Sequence, residues 1–510
     1  MSPKPTVSEC LNNIAEGLTR AAANCVTLAN LLEEPNTPDV PPIVVDPKPP
    51  VDPPAPSRNK FVGLNALAPE FYRSAKPWKD MGPHGSLRVV IGDGHEVDSN
   101  GWLRSGKAIV SYDTFVPYSW PVGEYELRWT GSGSVKIDLP GASEPPFFNV
   151  SESTGRIMLT LNGEVSGISI RPKDSNGSAF TLSILDRASK AVCYRFMDAQ
   201  YINEPKTQFD SERCWINQQD SGSLRFYHHG WTYYEMIQLG IETGCDIWLN
   251  IHPNKFADKK FLKSLAQQFT AVPGKVLVEF GNEAFNSSKS FAYNAWLNKH
   301  RGSQGLWGFH ADCSDAVYEI FKSVDSEKFV GVLGNQAAAN TASQRMVDMM
   351  KSKTRPLAFI DQLAIAPYLG TSWVKQSPDV LAGYDVPTAI AEIESNFDSV
   401  YKPDIEDWQR ITSAQGWQLV CYEFGTELFA YLDPNVPRNV AAISKIHEVN
   451  ESEEMGGLYK RVLDWWDKLT SGALLMHYAD VDGAGLRSWG AMLDETRTTP
   501  RWDALAEYMK

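Results

Sequence analysis

Residues 276–286 read VLVEFGNEAFN, an apolar run of β-branched character that turns polar at Gly281-Asn282-Glu283. Its first half has the pattern of a buried strand. A carboxylate at the end of such a strand is costly unless it is paired or has chemistry to perform. Comparable runs recur: KFVGLNAL from Lys60, AVCYRFMD (191–198), DIWLNI (246–251), KVLVEFG (275–281), FVGVLG (329–334), DQLAIAPY (361–368), QLVCYEFG (418–425) and ALLMHYA (473–479). Helix-patterned stretches such as WTYYEMIQLGIETG and LYKRVLDWWDKL separate them. Eight apolar strands alternating with helices predict an α/β chain folded as a (β/α)8 TIM barrel.

Outward from the strands, the composition changes twice. Residues 85–190 carry GKAIVSYDTF, GEYELRWTG, GSVKIDL, GRIMLTLNG, SGISIRP and AFTLSIL, short alternating runs punctuated by Gly, Asn and Pro. They predict an inserted all-β domain, jelly-roll or sandwich-like. Residues 59–84 then hold the first barrel strand and its loop, and 191–510 the remainder of the barrel.

Residues 1–35 form the other outlier. Val7, Leu11, Ile14, Leu18, Ala21, Cys25, Leu28 and Leu32 alternate steps of four and three, a heptad seam. An N-terminal coiled-coil helix is expected, with a homotrimer through residues 7–32 as the leading assembly; an amphipathic helix docked on its own domain fits the same spacing. Residues 36–58, including NTPDVPPIVVDPKPPVDPPAPS, are a Pro-rich linker in extended polyproline conformation.

The 510-residue chain is 43% hydrophobic and carries a formal net charge of −14 without a long Lys/Arg run, which argues against nucleic acid as a partner. No apolar run approaches the roughly 18 residues of a membrane span, so no membrane insertion is expected. Seven scattered cysteines without CxxC spacing read as buried free thiols in a reducing compartment. The start, MSPKPTVSEC, lacks the basic and apolar regions of an export signal.

In a (β/α)8 barrel, functional groups sit at the carboxyl ends of the strands. Glu283 ends the fourth strand and Glu423 the seventh, so both reach one mouth. A pair of carboxylates about 5–5.5 Å apart is what retaining glycoside hydrolysis requires, one to protonate the leaving oxygen and one to attack the anomeric carbon.

At three strand ends the chain reads YRFMD (194–198), VEFGNE (278–283) and CYEFG (421–425). In these it resembles the clan A glycoside hydrolases, and within them a poorly characterised set of barrels with a jelly-roll-like insertion. The resemblance covers roughly residues 60–500. It implies that Glu283 is the acid/base and Glu423 the nucleophile, acting on a polysaccharide without a cofactor or metal.

Other side chains then acquire expected roles. Asn282 suits a hydrogen bond to the sugar 2-hydroxyl. Arg195 is placed to hold Glu423 ionised, or to form an ion pair with Asp198 or Glu279. Tyr368 is a donor to the nucleophile. His252 and His477 lie at strand ends three and eight, and Trp248, Trp373 and Trp489 are candidate stacking platforms for sugar rings; packing in the core is the other reading of each, and for any one tryptophan the better default. DGHEVDSNG (93–101) lacks the ordered ligands of a calcium loop, His228-His229 stand apart from any Cys/His cluster, and no GxGxxG or GxxxxGK[ST] loop occurs.

An oligomerising helix, a stiff linker and a polysaccharide substrate together describe a phage tail-fibre or tailspike enzyme, located in the virion. The alternatives are a cytoplasmic or non-classically secreted bacterial glycosidase, and a non-catalytic carbohydrate-binding tail protein.

Overall fold

Eight strands form a closed barrel: Val62–Asn65, Cys193–Arg195, Asp246–Ile251, Val276–Phe280, Phe329–Gly334, Gln362–Ile365, Gln418–Thr426 and Leu475–His477. They are called strands one to eight below. Each pairs in parallel with the next, and strand eight pairs with strand one through Val62 opposite Leu475, which completes the ring. Beyond strand six, Tyr368–Leu369 adds a short pairing with Gly425 and Thr426 at the end of strand seven.

The computed structural model describes residues 60–67, 88–91, 96–97, 103–111, 123–138, 146–150, 156–162, 166–173, 180–200, 202–203, 231, 233–288, 291–337, 342–428, 436–482, 489–494 and 497–510. The coiled-coil helix and Pro-rich linker expected at 1–35 and 36–58 lie outside these residues.

Side-chain alternation explains why the strands read as continuous apolar runs. On strand three, Ile247 and Leu249 join the large core beneath the helices, while Trp248 between them joins a separate cluster inside the barrel. Strand four repeats this with Val276 and Val278 outside and Leu277 inside. A parallel strand covered on both faces has no polar side to show. Helix Lys259–Phe269 shows the complementary pattern, burying Leu262, Leu265, Ala266 and Phe269 on one face, with Asp258 capping its start by accepting from the Phe261 amide. Each fully buried leucine of this kind contributes about 1.5–3 kcal/mol. The helix Lys402–Gln415 stops at Gly416, whose φ of 75° supplies the left-handed cap that leads into strand seven.

Between strands one and two the described strands run antiparallel, but the last of the expected runs, AFTLSIL, enters a helix instead: Leu182–Lys190 buries Ile184 and Ala188, four residues apart, against the main core. Arg88–Ile91, Glu96–Val97, Leu103–Ser111, Ser134–Asp138 and Arg156–Asn162 form one sheet; Gly123–Thr130, Phe147–Val150 and Ser166–Pro172 form another. No helix among the described residues is long and apolar enough to cross a membrane.

Candidate active site

Two different backbone devices deliver the two glutamates. Strand four ends at Phe280, and the chain turns sharply with φ of 74° at Gly281 and 46° at Glu283. The left-handed region is uncommon for a glutamate and costs on the order of 1 kcal/mol or more. Gly281 has a second reason to be glycine, since a Cβ there would lie 2.3 Å from the Tyr293 ring. The turn is held by Asn250, which donates to the Gly281 carbonyl at 2.9 Å, and by the Asn286 amide, which donates to the Glu283 carbonyl at 2.9 Å.

Strand seven uses a bulge. Cys421 stands opposite Leu475 and Phe424 opposite His477, so three steps on strand seven match two on strand eight. Cys421 and Phe424 join the outer core, and the extra residue lets Tyr422 and Glu423, consecutive in sequence, both face inward.

Glu423 is buried and fully engaged. Arg195 donates to its Oε1 at 2.8 Å and the Tyr368 hydroxyl to its Oε2 at 2.6 Å. Burial pushes its carboxyl up, while the guanidinium and the phenol oppose that by favouring the anion. Arg195 itself has no solvent exposure. Its other donors reach Glu279 at 2.9 and 3.2 Å, Asn65 at 3.1 Å and Asn282 at 3.1 Å, and its Cζ lies 5.3 Å from the Trp248 ring and 5.0 Å from that of Tyr422. Arg195 thus pairs with the strand-seven glutamate and with Glu279 at once. Glu279 in turn accepts from Trp248 at 3.0 Å and Asn250 at 2.9 Å.

Glu283 has a different shell. Asn286 donates to its Oε2 at 3.0 Å and the Tyr422 hydroxyl to its Oε1 at 3.3 Å, both neutral donors. Burial, reinforced by the nearby Glu423 carboxylate, pushes its carboxyl up to about 7, against the pull of these donors and of Arg195. The cation in direct contact belongs to Glu423 and favours the anion there, so burial and charge both favour the proton on Glu283.

Both carboxylates line one cavity of about 660 Å³, with Asn282, Tyr368 and Trp489 from the predicted set on its wall. Arg195 lies behind Glu423. Four further predicted residues also stay out of that wall. Trp248 is wholly buried inside the barrel, where its indole serves Glu279. Trp373 is buried against Tyr384, ring centroids 5.7 Å apart. His252 uses Nδ1 to accept from the Asn254 amide, capping a short turn. His477 donates from Nδ1 to the Ala479 carbonyl at 3.1 Å and accepts at Nε2 from Tyr459, and burial, helped by Arg501, lowers it to about 3. A neutral, doubly bonded imidazole of this kind is a structural crosslink.

The structure adds cavity residues that sequence reasoning did not place there: Asp198, Asn203, Asn286, Tyr401, Tyr422, Glu427 and Tyr478. Asn203 accepts from Asn282 at 3.1 Å, and Glu427 accepts from Thr371 at 2.7 Å. Glu279, expected only as a possible partner of Arg195, carried a local signal of its own as a charge inside an apolar strand. Among the described residues, no group of three or more His, Cys, Asp or Glu side chains is arranged to hold a metal ion.

Together these features define a parallel (β/α)8 barrel with two unequal glutamates in one mouth. Neither a family model nor a curated protein matches the chain. Among solved structures, it is similar to a modular endo-β-1,4-mannanase from Cellulomonas fimi at 12% identity, with a TM-score of 0.30, over 58% of this chain and 59% of that one. A psychrophilic family 10 endo-β-1,4-xylanase has 9% identity and a TM-score of 0.35, over 62% of this chain and 88% of that one. A family 51 α-L-arabinofuranosidase from Bifidobacterium longum has 10% identity and a TM-score of 0.39, over 66% and 68%. At such distances the chemistry has to be read from this chain's own residues.

Proposed function

We propose that the protein is a retaining glycoside hydrolase that cleaves a polysaccharide by double displacement. The observation that carries this reading is the unequal pair in one cavity: Glu423 bonded to a buried cation and a phenol, Glu283 held by neutral donors with its carboxyl near 7. Glu423 is the nucleophile, ionised by Arg195 and oriented by Tyr368. Glu283 protonates the departing oxygen while Glu423 forms the bond to the anomeric carbon. Esterification then removes the Glu423 charge, which relieves part of what keeps Glu283 protonated, so the same group can accept a proton from the incoming water. Asn282 is the residue for the 2-hydroxyl, and Trp489 offers a stacking surface.

The substrate is a bacterial surface or extracellular polysaccharide, and the protein is a virion component. Support for that context comes from the heptad seam at 7–32 and the Pro-rich stretch that follows, which suit a trimeric stalk carrying a separate body. The antiparallel segment between strands one and two is a separate inserted domain of that body.

The decisive experiment screens bacterial exopolysaccharides and activated aryl glycosides, follows product configuration by NMR, and compares two variants. Glu423→Gln is expected to lose turnover on every substrate, by on the order of 10²-fold or more. Glu283→Gln is expected to keep glycosylation of substrates with good leaving groups and to regain deglycosylation with azide. Inverted product, or near-normal turnover in either variant, would remove the assignment.

A further inference from the structure

We infer that Tyr422 is the positioning residue of the acid/base, a phenol brought into the mouth by the strand-seven bulge to hold the Glu283 carboxylate. The argument starts from strand geometry. In a regular strand, residues 422 and 423 would face opposite sides, so only one of them could reach the mouth. The inserted residue between the Cys421 and Phe424 pairings cancels that alternation. Tyr422 therefore rises through the barrel interior, its ring 5.0 Å from the Arg195 Cζ, and its hydroxyl donates across the mouth to Glu283 Oε1 at 3.3 Å.

The groups facing Glu283 come from every side. Glu423 and Tyr422 project from strand seven, Arg195 from strand two, Tyr368 from beyond strand six and Asn286 from the turn of Glu283 itself. Burial and the Glu423 charge both favour the protonated acid. Tyr422 and Asn286 each satisfy one oxygen of the anion, so they pull the other way. A carboxyl that must donate a proton in one step and accept one in the next works best poised between these tendencies. Tyr422 is the only one of the two donors fixed by the barrel itself rather than by the turn, so it also sets where the carboxylate points.

This inference rests on Glu283 being the acid/base, but its test needs no substrate. The full chain is labelled with [δ-13C]glutamate, the Glu283 signal is identified by its loss in Glu283→Gln, and its titration is followed by NMR. Tyr422→Phe removes the donor and keeps the ring, and is expected to move the Glu283 titration upward by about 0.5–1 pH unit. Installing 3-fluorotyrosine at position 422, a stronger donor of nearly the same shape, is expected to move it downward. A purely structural role for the ring predicts no such pair of opposite shifts. An unchanged or lowered titration in Tyr422→Phe overturns the inference, as does an unchanged or raised one with fluorotyrosine; if the Phe variant does not fold, the fluorotyrosine protein decides alone. An ordinary carboxyl titration for Glu283 in the unaltered protein would count against the glycosidase reading, while the direction of the two shifts would still judge Tyr422.

Discussion

The ends of strands four and seven carry the same residue in opposite circumstances. Glu283 is set by a left-handed turn, meets only neutral donors and carries a raised carboxyl; Glu423 is set by a bulge and meets a buried guanidinium. Nothing in the glutamate side chain itself sets the two apart. The distinction is made by one arginine on strand two, which contacts Glu423 directly and reaches strand four through Asn282 and Glu279. Role is a property of the shell.

The strongest way to break that asymmetry is to remove the cation. Arg195→Met leaves two buried carboxylates, Glu279 and Glu423, without their counter-charge, and is expected to lower unfolding stability by about 3–5 kcal/mol in a denaturant titration. It also makes the two mouth glutamates nearly alike, so activity is expected to fall with it.

A gentler probe reads Glu283 through stability. Its carboxyl is raised from 4.5 to about 7 in the folded state, so the folded protein binds this proton more tightly than the unfolded chain. That contribution is fully present below about pH 4.5 and is lost as the pH rises through about 7, amounting to about 3 kcal/mol at most. Glu283→Gln is expected to flatten this part of the stability profile; an unchanged slope in pH-dependent unfolding would show that Glu283 is not the group with the raised carboxyl. For kcat/KM the same titration predicts an alkaline limb near pH 7, because the general acid must be protonated.

The turn that carries Glu283 can be tested separately. Gly281→Ala forces a Cβ against Tyr293 at a φ of 74°, and is expected to cost about 1–3 kcal/mol in thermal or chemical unfolding. The equivalent probe at strand seven is the mildest. Tyr368→Phe removes a donor to the Glu423 anion and is expected to raise the acid limb of kcat/KM by about half a unit to one unit, with little change in stability.

Much of this architecture was legible beforehand because its signals are local. DIWLNI and FVGVLG coincide with strands three and five, and the polar break after VLVEF marks the end of strand four. The two glutamates were readable because strand ends have a known location in a barrel. Trp248 and His477 misled for a physical reason: strand position alone does not say how deep an inward side chain lies, and here the polar network around Arg195 and Tyr459 absorbs them below the cavity floor. Asn65, Asn203 and Glu427 had no local signal at all, since their partners are far away in sequence. The bulge at Tyr422 was equally hidden, because a register shift exists only between two strands.

Strand one has one more consequence, for the order in which the molecule assembles. Every strand from three to six pairs with neighbours in nearby sequence, but Val62–Asn65 is bordered on one side by Cys193–Arg195 and on the other by Leu475–His477. Loop-closure entropy grows only slowly with length, so these pairings remain affordable in the finished fold, yet they close the longest loops of the barrel and have to wait for both ends of it. Strand one is the keystone, the strand that joins the two ends of the ring. Its Asn65 side chain accepts from Arg195 and donates to the carbonyls of Tyr422 and His477. The charge arrangement that separates the two glutamates is therefore completed only when the ring shuts, and a chain caught on the way there would hold both carboxylates without the lock that tells them apart.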